Sequence, residues 1–232
     1  MKDKRAQLLK IADGRLHPSI TNPAYLVLRR RRLILDAWLK SISGERLTVL
    51  DIGGRYQPYR PLIEDRLKRY VALDVLSTAL VDVVGKGEQL PFKSETFDLI
   101  IATGVFEYFA EPRVAATEMH RVLKPSGHLI LSVGAITPRV VDIEHWRYLP
   151  AGLKFALGAF SKVTIVPEIT SVGGVFRLNA SAISNFAKYE FVRQIVHHTV
   201  VPVLNLTGLL LEGAHISSND QIASNYAALA KK

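Results

Sequence analysis

VLDIGGRYQPYRPL, residues Val49 to Leu62, runs from apolar side chains through a glycine pair into arginines, tyrosines and prolines. Leu47, Val49, Leu50 and Ile52 have the length and composition of a buried strand, with Asp51 at its C-terminal edge. In an open parallel sheet ligands bind at that edge, where loops lead into helix N-termini with free N–H groups. Gly53 and Gly54 permit a sharp turn and a close backbone approach without a Cβ in the way. Alone, such a turn serves equally to join a core strand to a helix, so its meaning depends on the chain beyond it.

Beyond Leu62 strand and helix patterns alternate. Pro58 to Arg69 reads as a helix with proline near its first turn, and Tyr70 to Val75 as a second strand that carries Asp74 near its end. Val81 to Val84 is a third, very short strand and Phe97 to Thr103 a fourth. Glu111 to Lys124 is a helix, and His128 to Val133 a fifth strand entered through Pro125-Ser126-Gly127. This rhythm predicts an α/β fold with a parallel sheet and right-handed crossovers. Asp74 lies 21 residues after Gly53, where a doubly wound fold places a carboxylate for ribose hydroxyls. After Gly54 the next glycine is Gly85, so the three-glycine fingerprint of dinucleotide sites is missing and a nicotinamide cofactor is disfavoured.

The 232 residues are 48% hydrophobic and contain no cysteine. That length supports one sizeable core, and the absence of thiols excludes disulfides, thiolate metal sites and cysteine nucleophiles. A cytoplasmic location is the expectation. The N-terminal stretch MKDKRAQLLKIADGRL lacks the apolar segment of a signal peptide. The longest apolar run, Val200 to Leu211, is interrupted by Pro202 and Asn205, so no transmembrane segment is expected. It reads as core, dimer contact or pocket wall, with homodimerisation and peripheral membrane contact left open.

The net charge of +9 is uneven: up to Arg46 there are 11 Lys and Arg against 4 acids. Residues 1–46 therefore read as a basic helical arm, and 47–232 as the main domain. Ala24 to Ile42 shows helical spacing of Leu28, Leu35, Leu39 and Ile42, with Arg29 to Arg32 carried on it. The bland account of those arginines is a solvated face. The sharper one is an anionic partner: a phosphate-bearing substrate, RNA or a lipid surface.

Asp51-x-Gly53, Asp74, GEQLPFKSETFDLIIATGVFEYF and EMHRVLKPSGHLILSV succeed one another in order and spacing over Leu47 to Val133. Together they resemble the successive motifs of class I S-adenosylmethionine-dependent methyltransferases, in the small-molecule branch with Leu-Pro-Phe and Leu-Lys-Pro-x-Gly signatures. The resemblance implies a Rossmann-like seven-stranded sheet, mostly parallel, with an antiparallel last strand over Ser224 to Lys231. It implies S-adenosyl-L-methionine as cofactor, with Asp51 and Gly53 under its methionine portion, Gly54 among the residues that bind it, and Asp74 on its ribose. Glu88, Gln89 and Leu90 would lie near the adenine, and Thr103 and Gly104 beside the methyl group. The chain departs from the fuller glycine pattern at Arg55 and Gln57, and has Lys86 where many relatives carry an acid.

The resemblance also implies an acceptor pocket built after the fifth strand, within about 134–215. DIEHWRYLP, Asp142 to Pro150, supplies candidates there: His145, Glu144 and Tyr148 for proton transfer, Trp146 and Arg147 for holding the acceptor. Glu107 and Tyr108 face the same region, with helix capping as their plainer role. His197 and His198 are neighbours on a helix and point apart, so no metal site is expected. Gly173-Gly174 lacks the context of a phosphate loop. The function expected is methyl transfer to a small or lipid-linked, anionic acceptor, with a place in glycan biosynthesis. The alternatives are an RNA methyltransferase, nucleic acid being the less favoured partner, and a non-catalytic binding protein of the same fold.

Overall fold

Seven strands form one sheet in the computed structural model, which describes residues 2–139, 141–214 and 219–232. They are β1 (Leu47–Ile52), β2 (Leu67–Asp74), β3 (Val83–Val84), β4 (Phe97–Thr103), β5 (Leu123–Gly134), β6 (Lys162–Pro167) and β7 (Asn225–Lys231). Their order across the sheet is β3-β2-β1-β4-β5-β7-β6. The first five strands run parallel, and β7 inserts antiparallel between β5 and β6. This is the seven-stranded, mostly parallel sheet with an antiparallel last strand that the motifs imply. Positions 140 and 215, within the acceptor-side stretch, lie outside the described residues.

Strand alternation divides the core between the two faces of the sheet. Leu50, Ile100, Leu129 and Leu131 point to the face covered by helix α3 (Pro112–Val122), which presents Ala115, Met119 and Val122. Val49, Leu99, Ile101 and Ile130 point to the other face, covered by Leu35, Leu39 and Ile42 at the end of helix α2 (Tyr25–Ser41). Helix α1 (Lys2–Leu16) reaches that cluster through Leu16. The basic segment is thus partly a layer of the sheet domain, because α2 buries its apolar stripe against β1 and β4.

The helix expected over Pro58 to Arg69 is absent. Two 3-10 turns, Arg60–Leu62 and Glu64–Arg66, stand there and β2 begins at Leu67. Pro58 and Pro61 supply no N–H groups, and Pro61 would also clash with the Gln57 carbonyl in an α-helix. The remaining helices are α4 (Pro150–Ala156), α5 (Ser171–Phe186), α6 (Glu190–His198) and α7 (Val200–Gly213). Pro202 would collide with the His198 carbonyl in a continuous helix, and the break between α6 and α7 falls at Thr199. The run Val200 to Leu211 is core on one side only: Val201, Asn205 and Gly208 are buried, while Val203, Leu206 and Leu210 face solvent.

Candidate active site

The glycine turn after β1 is used by the chain itself. Gly53 and Gly54 both donate their N–H groups to the Leu73 carbonyl, at 2.8 and 3.1 Å, which fastens the end of β1 to the end of β2. Gly53 has φ +77°, and a Cβ there would stand 2.9 Å from Val105 Cβ. With no helix directly after it, this turn has no helix dipole behind it; the glycines serve backbone conformation and packing. Gln57 stands where the fuller pattern has a glycine and still takes φ 55°. Its Nε2 donates to the Leu80 carbonyl at 2.5 Å, so a side-chain bond holds a backbone state that glycine adopts freely.

Two buried carboxylates stand at the strand ends, the edge at which open α/β sheets hold ligands in a crevice. Asp51 is buried, and burial pushes its pKa up to about 7 although the Tyr70 hydroxyl donates to its Oδ2 at 2.7 Å. Burial and the facing Asp51 carboxylate in turn raise the Tyr70 phenol. Asp74, at the end of β2, accepts Leu76 N–H on Oδ1 and the Arg55 Nε–H on Oδ2, both at 2.9 Å. The departure at Arg55 is therefore an ion pair on the acid expected to take the ribose. At the end of β4, Thr103 pairs with Ser132, and Gly104 has φ +61° with no heavy atom within 4 Å of a Cβ placed on it. The backbone at that position is open to close approach.

Of the residues expected around the adenine, Glu88 Oε1 accepts Ala110 N–H at 3.0 Å and Gln89 is exposed. Leu90 is buried in the core; its N–H donates to Glu118 and its carbonyl accepts from Arg121, so it lends rigidity to this edge. Lys86 is exposed and forms an isolated bridge with Gln89.

The 142–150 loop, where the acceptor is expected, is tied to the turn after β4 by Glu107. Its carbonyl accepts the N–H groups of His145 and Trp146, at 2.9 and 3.2 Å, and its Oε1 accepts Gly134 N–H at 2.6 Å. Burial raises the Glu107 pKa, and its Oε2 is buried with no hydrogen-bond partner among the described residues. A shallow depression of ≈ 300 Å³ is lined by Thr137, Arg139, Glu144, His145, Trp146 and Arg147. His145 is exposed there. Glu144 is engaged by Arg147 Nη2 at 2.5 Å and by the Tyr108 hydroxyl at 3.2 Å. Trp146 donates its indole N–H to the Phe109 carbonyl at 2.8 Å. Tyr148 is the misfit. It lies in the core against Phe106, its hydroxyl nearest the Phe106 carbonyl, and burial raises the phenol, so it is a packing residue and unsuited to proton exchange with a ligand.

Beside the end of β5 lies a charged cluster that sequence patterning did not resolve. Arg31 makes a two-pronged ion pair with Glu168, at 2.8 and 2.9 Å, and Ser132 donates to the same carboxylate at 2.5 Å. Glu168 has no exposed surface. Burial pulls the Arg31 guanidinium down, and Glu168 more than offsets it, leaving it raised. Arg177 is pushed down to about 10 by burial and by Arg31, against the pull of Glu168. It donates to Ser181 Oγ, while its Nε–H is buried with no acceptor among the described residues. Arg15 sits 4.5 Å over the Tyr56 ring; burial lowers it first, with Arg31 and Arg55 adding to that and Tyr56 and Tyr59 opposing.

Residues 50–131 match the family described as Methyltransferase domain. Over that stretch the chain is similar to the domain of S-adenosylmethionine-dependent methyltransferases. A malonyl-[acyl-carrier protein] O-methyltransferase of Coxiella burnetii is 30% identical over 111 residues, 44% of this chain and 39% of that protein. A ubiquinone/menaquinone biosynthesis C-methyltransferase of a Ruegeria species is 33% identical over 94 residues, 40% of this chain and 35% of that protein. An uncharacterised protein of Methanocaldococcus jannaschii is 32% identical over 101 residues, 43% of this chain and 49% of its own length. These matches span at most about half of each relative's length. Among solved structures, a Haemonchus contortus phosphoethanolamine N-methyltransferase crystallised with phosphomonomethylethanolamine and S-adenosylhomocysteine shares the fold. Its TM-score is 0.50 at 13% identity, over 92% of this chain and 59% of that one. The [4+2]-cyclase SpnF shares it too, with TM-score 0.51 at 18% identity over 86% and 80% of the two chains.

S-adenosyl-L-methionine is the cofactor of a methyltransferase domain, and the residues present suit it. Asp51 and Asp74 offer acceptors at the ends of β1 and β2, and Gly104 leaves the backbone open at the end of β4. The methyltransferase crevice also contains features that the motifs do not foretell. Arg55 on Asp74 and the Glu107 anchor are invisible in the sequence because both bonds join residues distant along the chain. Only their residue types, a cation for a glycine and an acid in an apolar turn, could draw notice.

Proposed function

We propose that this chain transfers a methyl group from S-adenosyl-L-methionine to a small or lipid-linked acceptor that bears a negative charge. One observation carries the anionic acceptor: beside the end of β5 the single Glu168 carboxylate is bonded by Arg31 and pulls also on Arg177, while Arg15 stands close enough to Arg31 to be repelled by it. Arg15 and Arg177 are held below the ordinary arginine range, first by burial and with Arg31 adding to it in both, so a carboxylate or phosphate brought to them offsets the repulsion from Arg31. Arg147, the acceptor cation suggested by sequence, is paired with Glu144 and is the weaker candidate. An exposed histidine, His145, is the proton acceptor in this reading. Glu107 positions it through the backbone.

The bound cofactor supplies an activated carbon, so the protein's own contribution is to place the acceptor and exclude water. A place in glycan biosynthesis remains part of the proposal for the acceptor's pathway. The test is transfer of labelled methyl from the cofactor into fractionated anionic and neutral small molecules and lipids. We expect label in an anionic fraction. With that acceptor, Arg177→Gln should raise KM about tenfold or more with a smaller effect on kcat, and His145→Ala should lower kcat by roughly 10² to 10⁴. Labelling confined to neutral acceptors or to RNA would overturn the anionic small-acceptor reading.

A further inference from the structure

Away from the strand ends, one stretch of the described surface is rich in apolar side chains. From Phe186 through Leu210 the chain exposes large apolar side chains in close succession: Phe186 is 84% exposed, Phe191 75%, Leu210 72% and Val203 62%. Scattered apolar residues are ordinary on a protein surface, whereas a concentration of this size marks a partner. By length and composition Glu190–Gly213 is apolar enough to cross a membrane. Its inner side is nevertheless fixed to the fold. Asn205 Nδ2 donates to the carbonyls of Ile20 and Asn22, at 2.7 and 2.9 Å, and Gly208 is closely approached by Leu26 and Phe176. A helix held along one side can lie on a membrane but not thread through it.

The exposed side has the composition of an interfacial helix. Aromatic rings and cations lie together at its start: Lys188 stands 5.8 Å from the Tyr189 ring, Phe191 is exposed two residues on, and Arg193 is exposed and paired with Glu190. From Val200 to Leu211 there is no charged residue at all. Long cationic side chains beside apolar and aromatic anchors suit the boundary between headgroups and acyl chains. The surplus of cations sits on residues 1–46, whose helix α2 packs against α7, so an anionic leaflet is attracted to this side of the molecule, whereas a second copy would bring like charge to like. We propose that the outer face of α6 and α7 docks on an anionic phospholipid bilayer, lying in the plane of the headgroups with Phe191, Val203, Leu206 and Leu210 immersed.

This docking is independent of the methyl-transfer reading, and vesicles test it without cofactor or acceptor. The full chain is sedimented with phosphatidylcholine vesicles with and without phosphatidylglycerol, at low and high salt. We expect binding that needs the anionic lipid, weakens with salt, and falls at least tenfold in the exposed-site variant Leu206→Ser/Leu210→Ser. The variant Phe191→Trp keeps an apolar anchor, and its emission should shift to the blue on adding the anionic vesicles. No sedimentation of the wild type together with an unshifted Phe191→Trp spectrum would overturn the proposal. So would a dimer, seen by light scattering, that the double serine variant dissolves, since the face would then belong to a second copy.

Discussion

Asp51 is a carboxylate whose preferred state is set by its surroundings. Burial raises it from 3.8 to about 7, against the opposing hydrogen bond from Tyr70, with the nearby Asp74 charge adding to the rise. In the interval between those values the folded protein holds a proton that the unfolded chain has released. Stability linked to Asp51 is therefore full below the unfolded value and declines as pH climbs from about 4 to about 7. Urea unfolding across that range should show the wild type losing stability relative to Asp51→Asn, and parallel curves would remove the buried-acid account. Arg31 illustrates a different dependence on context. The four arginines of α2 look alike in sequence, yet Arg31 turns inward to Glu168, Arg32 meets His17, and Arg30 is exposed. Helical spacing shows that consecutive residues point in different directions, but the Glu168 partner lies 137 residues away and local pattern holds no trace of it.

Elements are legible where a single face decides them. β1 and β4 track their apolar runs because both strands are buried on two sides, and α3 tracks the stripe of Ala115, Met119 and Val122. The segment between β1 and β2 is misread from sequence because proline near a first turn also fits a helix; the second proline, Pro61, is what breaks it into 3-10 turns. The Gly173-Gly174 pair shows the other side of this. Sequence excludes a phosphate loop, but only the fold shows why α5 carries glycine. A Cβ on Gly174 would come within 1.9 Å of the Ile222 carbonyl oxygen, on the segment leading into β7. Gly174→Ala should therefore push α5 off that segment and destabilise the protein by about 3 kcal/mol, read as a fall in the midpoint of thermal unfolding. Gly152→Ala, where a Cβ meets nothing within 4 Å, should leave that midpoint nearly unchanged and serves as the control.

At the scale of the whole molecule, chemistry is concentrated at one edge of the sheet. The ends of β1, β2 and β4 bring Asp51, Asp74 and Gly104 to the crevice, and the end of β5 carries Ser132 into the Glu168 cluster. The cofactor motifs are legible because they lie on consecutive elements in a fixed order. The proposed acceptor side is less so, because its candidate residues lie on α1, α2, α5 and the loop after β5, which are far apart in the chain. The central claim is that the crevice binds S-adenosyl-L-methionine with Asp74 as an acceptor, in spite of the Arg55 ion pair. Arg55 is about one-third exposed in that pair, but the Asp74 side chain is buried, so the ribose hydroxyls must replace or join the Arg55 bond rather than leave the carboxylate bare. Losing hydrogen bonds to the Asp74 carboxylate costs about 1.5 to 3 kcal/mol. Isothermal titration with S-adenosylhomocysteine tests this most directly. The wild type should bind and Asp74→Ala should bind at least about tenfold more weakly. Absence of binding by the wild type at about millimolar ligand, a free energy near −4 kcal/mol, would contradict the account.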